Sequence, residues 1–157
     1  MQVTTTMSEK SAKTRVDDVM TTRLHTCRGG ETLERAAKIM WEHGCAEVPV
    51  VDDDGFLVTM VTDRSALLCA YMQGKPLAEI AVTSAAPSTF RVARTGDSLD
   101  AALELMRKHH ERCLPVVDAA GRLVGVLSIT DILRATSLQE EPRLSANSID
   151  ALPRHAH

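Results

Sequence analysis

The sequence contains few aromatic residues, which make up 3% of the chain as one Trp, one Tyr and two Phe. Apolar residues as a whole reach 44%, so the core must be built from aliphatic side chains and Met rather than from stacked rings. Proteins that bind single-stranded nucleic acid rely on aromatic stacking platforms. The composition therefore disfavours that class of protein.

The sequence also lacks a long apolar run and a block of one charge. A membrane-spanning helix needs about 18 consecutive apolar residues and a signal peptide needs a shorter apolar stretch, and the chain has neither. The formal net charge is −3, and acidic and basic residues are interspersed. A broad basic footprint for DNA or an anionic membrane is thus missing. We expect a cytoplasmic protein that does not contact a membrane and for which nucleic-acid binding is disfavoured.

The cysteines form no Cys-x-x-Cys pair, which disfavours a disulfide framework and favours reduced, buried thiols. They are Cys27, Cys45, Cys69 and Cys113. Zinc binding is the alternative, because His109 and His110 lie near Cys113, and His43 lies near Cys45. No further Cys or His pair stands nearby to complete four ligands, and His at a helix C-terminus suits the helix dipole. We therefore predict no metal site.

The residue patterns of catalysis are missing as well. The sequence has no glycine-rich phosphate loop, and no Ser-His-Asp set or carboxylate pair can be inferred from it. The run Asp52–Gly55 lacks the downstream Glu of a calcium-binding loop and is typical of a hairpin turn. We predict that the protein is not an enzyme.

One segment of the sequence is repeated. Sliding the chain by 66 positions lays residues 31–65 on residues 97–131 without a gap, and 11 of the 35 pairs are identical. The identical pairs are Leu33/Leu99, Ala36/Ala102, Met40/Met106, His43/His109, Pro49/Pro115, Val50/Val116, Val51/Val117, Asp52/Asp118, Gly55/Gly121, Leu57/Leu123 and Val58/Val124. A repeat of this kind indicates two copies of one supersecondary unit.

Each copy predicts the order strand, helix, strand, strand, helix. Thr32 and Ser98 precede acidic first turns, which is N-cap chemistry, and apolar residues then recur at helical spacing from Leu33 and from Leu99. A strand with a proline near its start, a glycine-containing turn and a second strand follow. The predicted strands are 25–28, 48–51 and 56–61 in the first copy and 90–93, 114–117 and 122–127 in the second, and the second helices are 63–72 and 129–135.

These elements predict a fold of the α/β (α+β) class with two β-α-β-β-α units. A unit of about 60 residues cannot cover its own sheet, so we expect the copies to pack on one another. The expected organisation is a flexible tail (1–14), a first domain (15–73), a connector (74–89), a second domain (90–137) and a second flexible tail (138–157).

The end of the second copy has the chemistry of a nucleotide site. A strand end, Gly125 to Leu127, runs into a helix start at Ser128, where free backbone N–H groups favour an anion. Gly125 lacks a Cβ and permits close approach of a ligand. The hydroxyls of Ser128 and Thr130 can donate to phosphate, and Asp131 can accept from both hydroxyls of a ribose.

The same residues also fit a purely structural role, since Ser128 and Asp131 form the pattern of a capping box. The first copy differs at the informative positions: Thr59 replaces Gly125, and Ser65 replaces Asp131. Thr62, with Asp63 and Arg64 beside it, retains a phosphate contact at most. We therefore expect one competent site in the second copy and a degenerate site in the first.

Taken together, the motifs resemble those of the CBS domain family. They are Val16-Asp-Asp-Val-Met20, the pattern Leu33, Ala36, Met40, His43, Val48-Pro-Val-Val-Asp52 and Gly55, and Gly125-Val-Leu-Ser-Ile-Thr-Asp131. The resemblance covers residues 16–136. It implies a CBS pair in which the two units pack with pseudo-twofold symmetry. Such a pair is expected to bind an adenine nucleotide or S-adenosylmethionine as a regulatory ligand between the copies, with no required cofactor. It also implies a homodimer formed through the CBS helices.

The resemblance further implies positions that flank the base. They are Leu114, Pro115 and the segment 89–92, which ends at Val92, with Val48 and Pro49 as the counterparts in the first copy. Arg112 lies close to the strand and is a candidate for phosphate, although a solvated surface charge is the alternative. With no effector domain in the sequence, the signal would pass to an effector protein in trans. An assembly module without a ligand remains the alternative function.

Overall fold

The computed structural model describes residues 14–137. The tails expected at 1–14 and 138–157 thus lie outside the described residues, apart from Thr14. Within the described part of the chain, no helix has both the length and the apolar character needed to cross a membrane.

Two units of the same architecture follow one another along the chain. Unit 1 contains β1 (Cys27–Arg28), α1 (Leu33–His43), β2 (Glu47–Val51), β3 (Leu57–Thr62) and α2 (Asp63–Gln73). Unit 2 contains β4 (Ala93–Arg94), α3 (Leu99–His109), β5 (Cys113–Val117), β6 (Leu123–Ser128) and α4 (Ile129–Ser137). Short 3₁₀ turns lie at Val16–Asp18, Leu77–Glu79 and Val82–Ala85. The predicted fold class, with two repeated units, is confirmed.

Each unit has a three-stranded sheet, with the orders β1-β2-β3 and β4-β5-β6. The first strand of each sheet runs parallel to the second, and the second and third form an antiparallel hairpin. Val48 pairs with Val61, and Leu114 pairs with Leu127 at the equivalent positions. A register shift follows Val50 in one sheet and Val116 in the other. The repeat in the sequence is thus a repeat of backbone register.

The helices cover one side of each sheet with apolar side chains. In unit 1 the core includes Leu33, Ala36 and Met40 of α1, and in unit 2 it includes Leu99, Ala102 and Met106 of α3. Ser98 caps α3 by accepting from the Ala101 N–H at 3.2 Å. Thr32 occupies the same position in α1, but its side chain makes no capping hydrogen bond.

The segment that leads into each unit completes the core of the other unit. Val16, ahead of unit 1, is fully buried in the unit 2 core, and Val82, ahead of unit 2, is fully buried in the unit 1 core. Matching backbone bonds hold them, from Val16 N–H to the Asp97 carbonyl and from Val82 N–H to the Glu31 carbonyl, both 2.9 Å. The units therefore exchange segments rather than merely touching.

The two hairpin turns join the units at a second place. The Leu57 N–H donates to the Gly121 carbonyl at 3.3 Å, and the Leu123 N–H donates to the Gly55 carbonyl at 3.1 Å. The Arg122 guanidinium lies over the Phe56 ring, 5.0 Å from its centroid. These contacts fix how the two sheets face one another.

Candidate ligand-binding site

The start of α4 forms a closed set of hydrogen bonds around Ser128 and Asp131. Asp131 Oδ2 accepts from the Ser128 N–H at 3.1 Å and from its hydroxyl at 2.6 Å, and the Asp131 N–H donates to Ser128 Oγ at 3.1 Å. This is the capping box that the sequence also predicted. The Asp131 side chain keeps 16% exposure, and Oδ1 lies 3.9 Å from an Arg134 nitrogen. Oδ2 is thus engaged by the capping bonds, whereas Oδ1 makes the longer contact with Arg134.

The start of α2 repeats the arrangement without a carboxylate. The Ser65 N–H donates to Thr62 Oγ1 and the Thr62 N–H donates to Ser65 Oγ, each at 3.0 Å. Asp63 and Arg64 next to it are exposed. Both units therefore cap their second helix, and only unit 2 brings a negative charge to that position.

Gly125 has a different neighbour from the expected ligand. A Cβ built on Gly125 would overlap Met20 Sδ and would lie 2.9 Å from Met20 Cγ. Next to Met20, Thr21 exchanges two backbone hydrogen bonds with Val126, of 2.8 and 3.0 Å. The space beside Gly125, where the sequence predicts a ligand, is thus occupied by residues 20–21 of the chain itself. No sequence pattern predicts this contact, since it joins residues more than 100 positions apart.

An open cavity lies beside strand β3 of unit 1. Its volume is about 460 Å³, and its lining combines strand β3 with the segment that leads into unit 2. The lining residues are Val58, Thr59, Thr83, Ala86, Pro87, Ser88, Thr89, Phe90 and Arg91. Residues 89–91, which the family resemblance placed beside a base, therefore face unit 1. Thr59, which stands where the second copy has Gly125, is buried in the cavity wall.

The remaining predicted residues fall into two groups. Leu114, Leu127 and Val48 are fully buried, as are the flanking prolines Pro115 and Pro49, so that only their backbone can offer contacts. Thr130 and Arg112 are exposed, and Val92 is half-buried. Arg112 lines a second, outward-facing cavity of about 420 Å³, together with Arg107, His110 and Ile129.

A cluster of acids and thiols lies near the starts of β2 and β5. Burial raises the pKa of the Glu47 carboxyl to about 7, with Glu111 and Asp63 adding to the shift and a hydrogen bond from the Cys113 thiol opposing it. Burial also raises the pKa of the Cys113 thiol, and the negative charges of Glu47 and Asp131 add to this. Glu47 and Cys113 occupy equivalent positions of the repeat, so they meet near the pseudo-twofold axis.

The cysteines and histidines do not assemble a metal site in the described residues. All four cysteines are free thiols. Across residues 14–137, no group of three or more His, Cys, Asp or Glu side chains is placed to hold an ion. The His43 ring instead stacks on the His25 ring, with centroids 3.4 Å apart.

Comparison with known proteins agrees with this architecture. The CBS domain family model matches residues 16–69 and 87–137, and the chain therefore belongs to the CBS domain family. The CBS domain-containing protein YhcV of Bacillus subtilis is 34% identical over 121 residues, which cover 74% of this chain and 81% of YhcV. Other relatives are much longer: the chain spans 24% of a homoserine O-acetyltransferase from Methanococcoides burtonii and 20% of mycobacterial inosine-5'-monophosphate dehydrogenases.

Two solved structures similar to this chain contain adenosine compounds. CBSX2 in complex with AMP is 31% identical, with a TM-score of 0.69, and the match covers 80% of this chain and 96% of CBSX2. The CBS domain pair of MJ0100, in complex with 5'-methylthioadenosine and S-adenosyl-L-methionine, is 25% identical with a TM-score of 0.70, covering 81% and 98% of the two chains. The chain is thus a CBS pair whose structural relatives include adenosine-bound forms.

Proposed function

We propose that this chain is a regulatory CBS pair that binds an adenosine-containing ligand in the cleft between its units. AMP, ADP, ATP and S-adenosylmethionine are the candidate ligands. The observation that carries the proposal is the start of α4, where Asp131 places a carboxylate beside Ser128 and the helix N-terminus. The adenosine compounds bound to CBSX2 and MJ0100 support the same ligand class.

In this proposal the two sites of the cleft are unequal. The unit 2 site has the carboxylate that accepts from ribose hydroxyls, while Ser65 stands at the equivalent position of unit 1. Arg112 lies beside the start of α4, since its carbonyl accepts from the Ile129 N–H at 3.0 Å, and Thr130 lies in the first turn of that helix. Both side chains are exposed, and we propose that they serve phosphate groups. We therefore propose one competent ribose site per chain, with residues 15–73 and 90–137 as the two domains. Thr62, Asp63 and Arg64 form the degenerate site.

The signal in this proposal is a population shift. A ligand that bridges the units stabilises one relative orientation of the two sheets, and a partner protein or the oligomeric state reports that orientation. The role is regulatory rather than catalytic, and the setting that we propose is the cytoplasm, where the four free thiols stay reduced.

The test is a calorimetric and thermal-shift panel of AMP, ADP, ATP, S-adenosylmethionine, NAD and cyclic dinucleotides. We expect one site per chain in the wild type, and a ligand at 100 times its dissociation constant to stabilise the fold by about 2.7 kcal/mol. Asp131→Ala should lose binding at least tenfold. Ser65→Ala, at the equivalent position, is the matched control and should retain it. Two equal sites would contradict the asymmetry, and a response to zinc alone would contradict the ligand class.

A specific surface favours assembly as the second candidate function. The outer face of α2 carries Leu67, Leu68, Tyr71 and Met72, with Tyr71 and Met72 more than 80% exposed. An uncharged apolar face on one helix suits an isologous contact with a second copy. We propose a homodimer through this helix. Tyr71→Glu should yield monomers in light scattering, and an unchanged dimer would exclude α2 as the contact.

A further inference from the structure

The side chain of Met20 lies over the strand that leads to the proposed ribose site. Its sulfur occupies the place that a Cβ at Gly125 would need, and its Cβ lies 3.3 Å from that point. The neighbouring Thr21 pairs with Val126 through both of its backbone groups, at 2.8 and 3.0 Å. Strand β6 is thus covered on one edge by residues 20–21, immediately before Ser128 and Asp131.

The equivalent place in unit 1 is open. Shifting Met20 and Thr21 by the repeat length leads to Ala86 and Pro87, and shifting Gly125 leads to Thr59. The methyl side chain of Ala86 is too short to cover β3. The Pro87 nitrogen carries no hydrogen and therefore cannot donate to the edge of a strand. The cavity of about 460 Å³ lies there, with Thr59, Ala86 and Pro87 in its wall.

The two places therefore differ by a reciprocal exchange of side-chain size. Unit 2 combines a glycine on the strand with a methionine opposite, and unit 1 combines a threonine on the strand with an alanine opposite. The larger residue of unit 2 is Met20, which is half-buried and packs against the unit 2 core. Its side chain is unbranched and has three rotatable bonds. A methionine can leave its position by side-chain rotation, whereas the β-branched Thr59 in the strand cannot.

We infer that Met20 is the residue that controls access to the Asp131 site: it fills the space above Gly125 in the free protein, and an adenosine ligand enters by displacing it. This inference rests on the proposed function and names the residue that sets the affinity of its site. Because Gly125 has no Cβ, the space beside it can hold the Met20 side chain in the free protein and the ligand in the bound protein.

Displacement of Met20 would reach both units through one short segment. Val16, four residues before Met20, is anchored in unit 2 by its bond to Asp97, and Arg15 donates to the Gly96 carbonyl at 2.9 Å. Beyond Thr21 the chain continues to Cys27 in β1, inside the unit 1 core. Residues 20–21 contact β6 at Gly125 and Val126, so ligand entry that moves this segment loosens the Thr21–Val126 pair while the anchor at Val16 stays in place.

The experiment compares AMP binding by calorimetry for wild type, Met20→Ala and Met20→Leu, with Ala86→Ser as the control at the equivalent position. We expect Met20→Ala to bind AMP roughly tenfold more tightly, because the fraction of molecules with an open site rises. Met20→Leu, which still fills the space, should bind like the wild type, and so should Ala86→Ser. A merely structural role for Met20 would weaken binding or leave it unchanged in Met20→Ala.

A second measurement follows hydrogen exchange at the Val126 amide, which donates to Thr21. Saturating AMP should speed exchange at Val126 in the wild type while the Val16 amide, bonded to Asp97, stays protected. If the wild type binds AMP and Met20→Ala binds it equally or less tightly, the role of Met20 is refuted and the proposed function stands. If neither the wild type nor Met20→Ala binds any adenosine ligand of the panel, both are refuted.

Discussion

Units 1 and 2 share one backbone and differ in what they place on it. Their hairpins have the same register, and their second helices start with the same pair of capping bonds. Yet the carboxylate lies in unit 2, beside a strand covered by Met20, and the open cavity lies in unit 1, beside Thr59. The comparison teaches that duplication preserved the scaffold and divided the features of a binding site between the copies.

The largest effect that we expect comes from the exchanged segments. Val16→Asp and Val82→Asp each place a carboxylate in the core of the opposite unit, and each should lower the free energy of unfolding by roughly 3 kcal/mol or more. Urea denaturation measures both. Similar losses would show that the two units depend equally on exchange, whereas a loss for only one variant would break the symmetry that we describe.

A smaller effect on stability should follow from replacing Gly125 of β6 by the threonine that β3 has at the equivalent position. Gly125→Thr forces a side chain against Met20 and should cost about 1–3 kcal/mol of stability. Adding Met20→Ala reproduces the Thr59 and Ala86 combination of unit 1 and should restore most of that loss. A double-mutant cycle in urea gives the coupling between the two positions, and additive effects would contradict the reciprocal exchange.

The smallest effect concerns the acid near the pseudo-twofold axis, because Glu47 is only partly buried and solvent screening reduces the effect of its raised pKa on stability. Because the pKa of Glu47 is raised to about 7 from an ordinary 4.5, the folded protein keeps a proton that the unfolded chain releases. The unfolded state binds fewer protons in this window, so stability should fall as the pH rises from about 4.5 to 7 and level off above it. Urea midpoints at several pH values measure the slope.

The matched variant for that measurement is Glu47→Gln, which cannot titrate. It should flatten the dependence between pH 5 and pH 7 and should be more stable than the wild type at pH 8. Glu34→Gln, on the exposed face of α1, controls for the loss of one negative charge and should leave the slope as it is. An unchanged slope in Glu47→Gln would assign the pH dependence to other groups.

Much of the fold could be predicted because its signals are local. Helical spacing from Leu33 and from Leu99, the prolines at the starts of β2 and β5 and the glycine turns predicted the main elements to within one or two residues. The first strands proved shorter than expected, two residues each at Cys27–Arg28 and Ala93–Arg94. Each predicted segment pairs with β2 or β5 only at its C-terminal end, so the residues before that end can cross between units.

The candidate site was less predictable because its neighbours come from distant parts of the chain. The pattern of Ser128 and Asp131 is local, so the sequence predicts both the capping box and the ligand contact that these residues could make. The contact of Met20 with Gly125 depends on the exchange of segments, which no spacing encodes. The same reason applies to residues 89–91. The family resemblance places them beside a base together with Leu114 and Pro115 of the second copy, whereas in the structure they line a cavity with β3 of the first.

The crossing of Val16 and Val82 has a consequence for any attempt to divide the protein. A fragment cut after Gly74 would retain Val16 but lack the Val82 that fills its core, and the complementary fragment would lack Val16. When the two fragments are mixed, they should form a native complex, since each carries the valine that completes the core of the other. At high concentration the intact chain has the same option with a neighbour, by donating its leading segment in a domain swap.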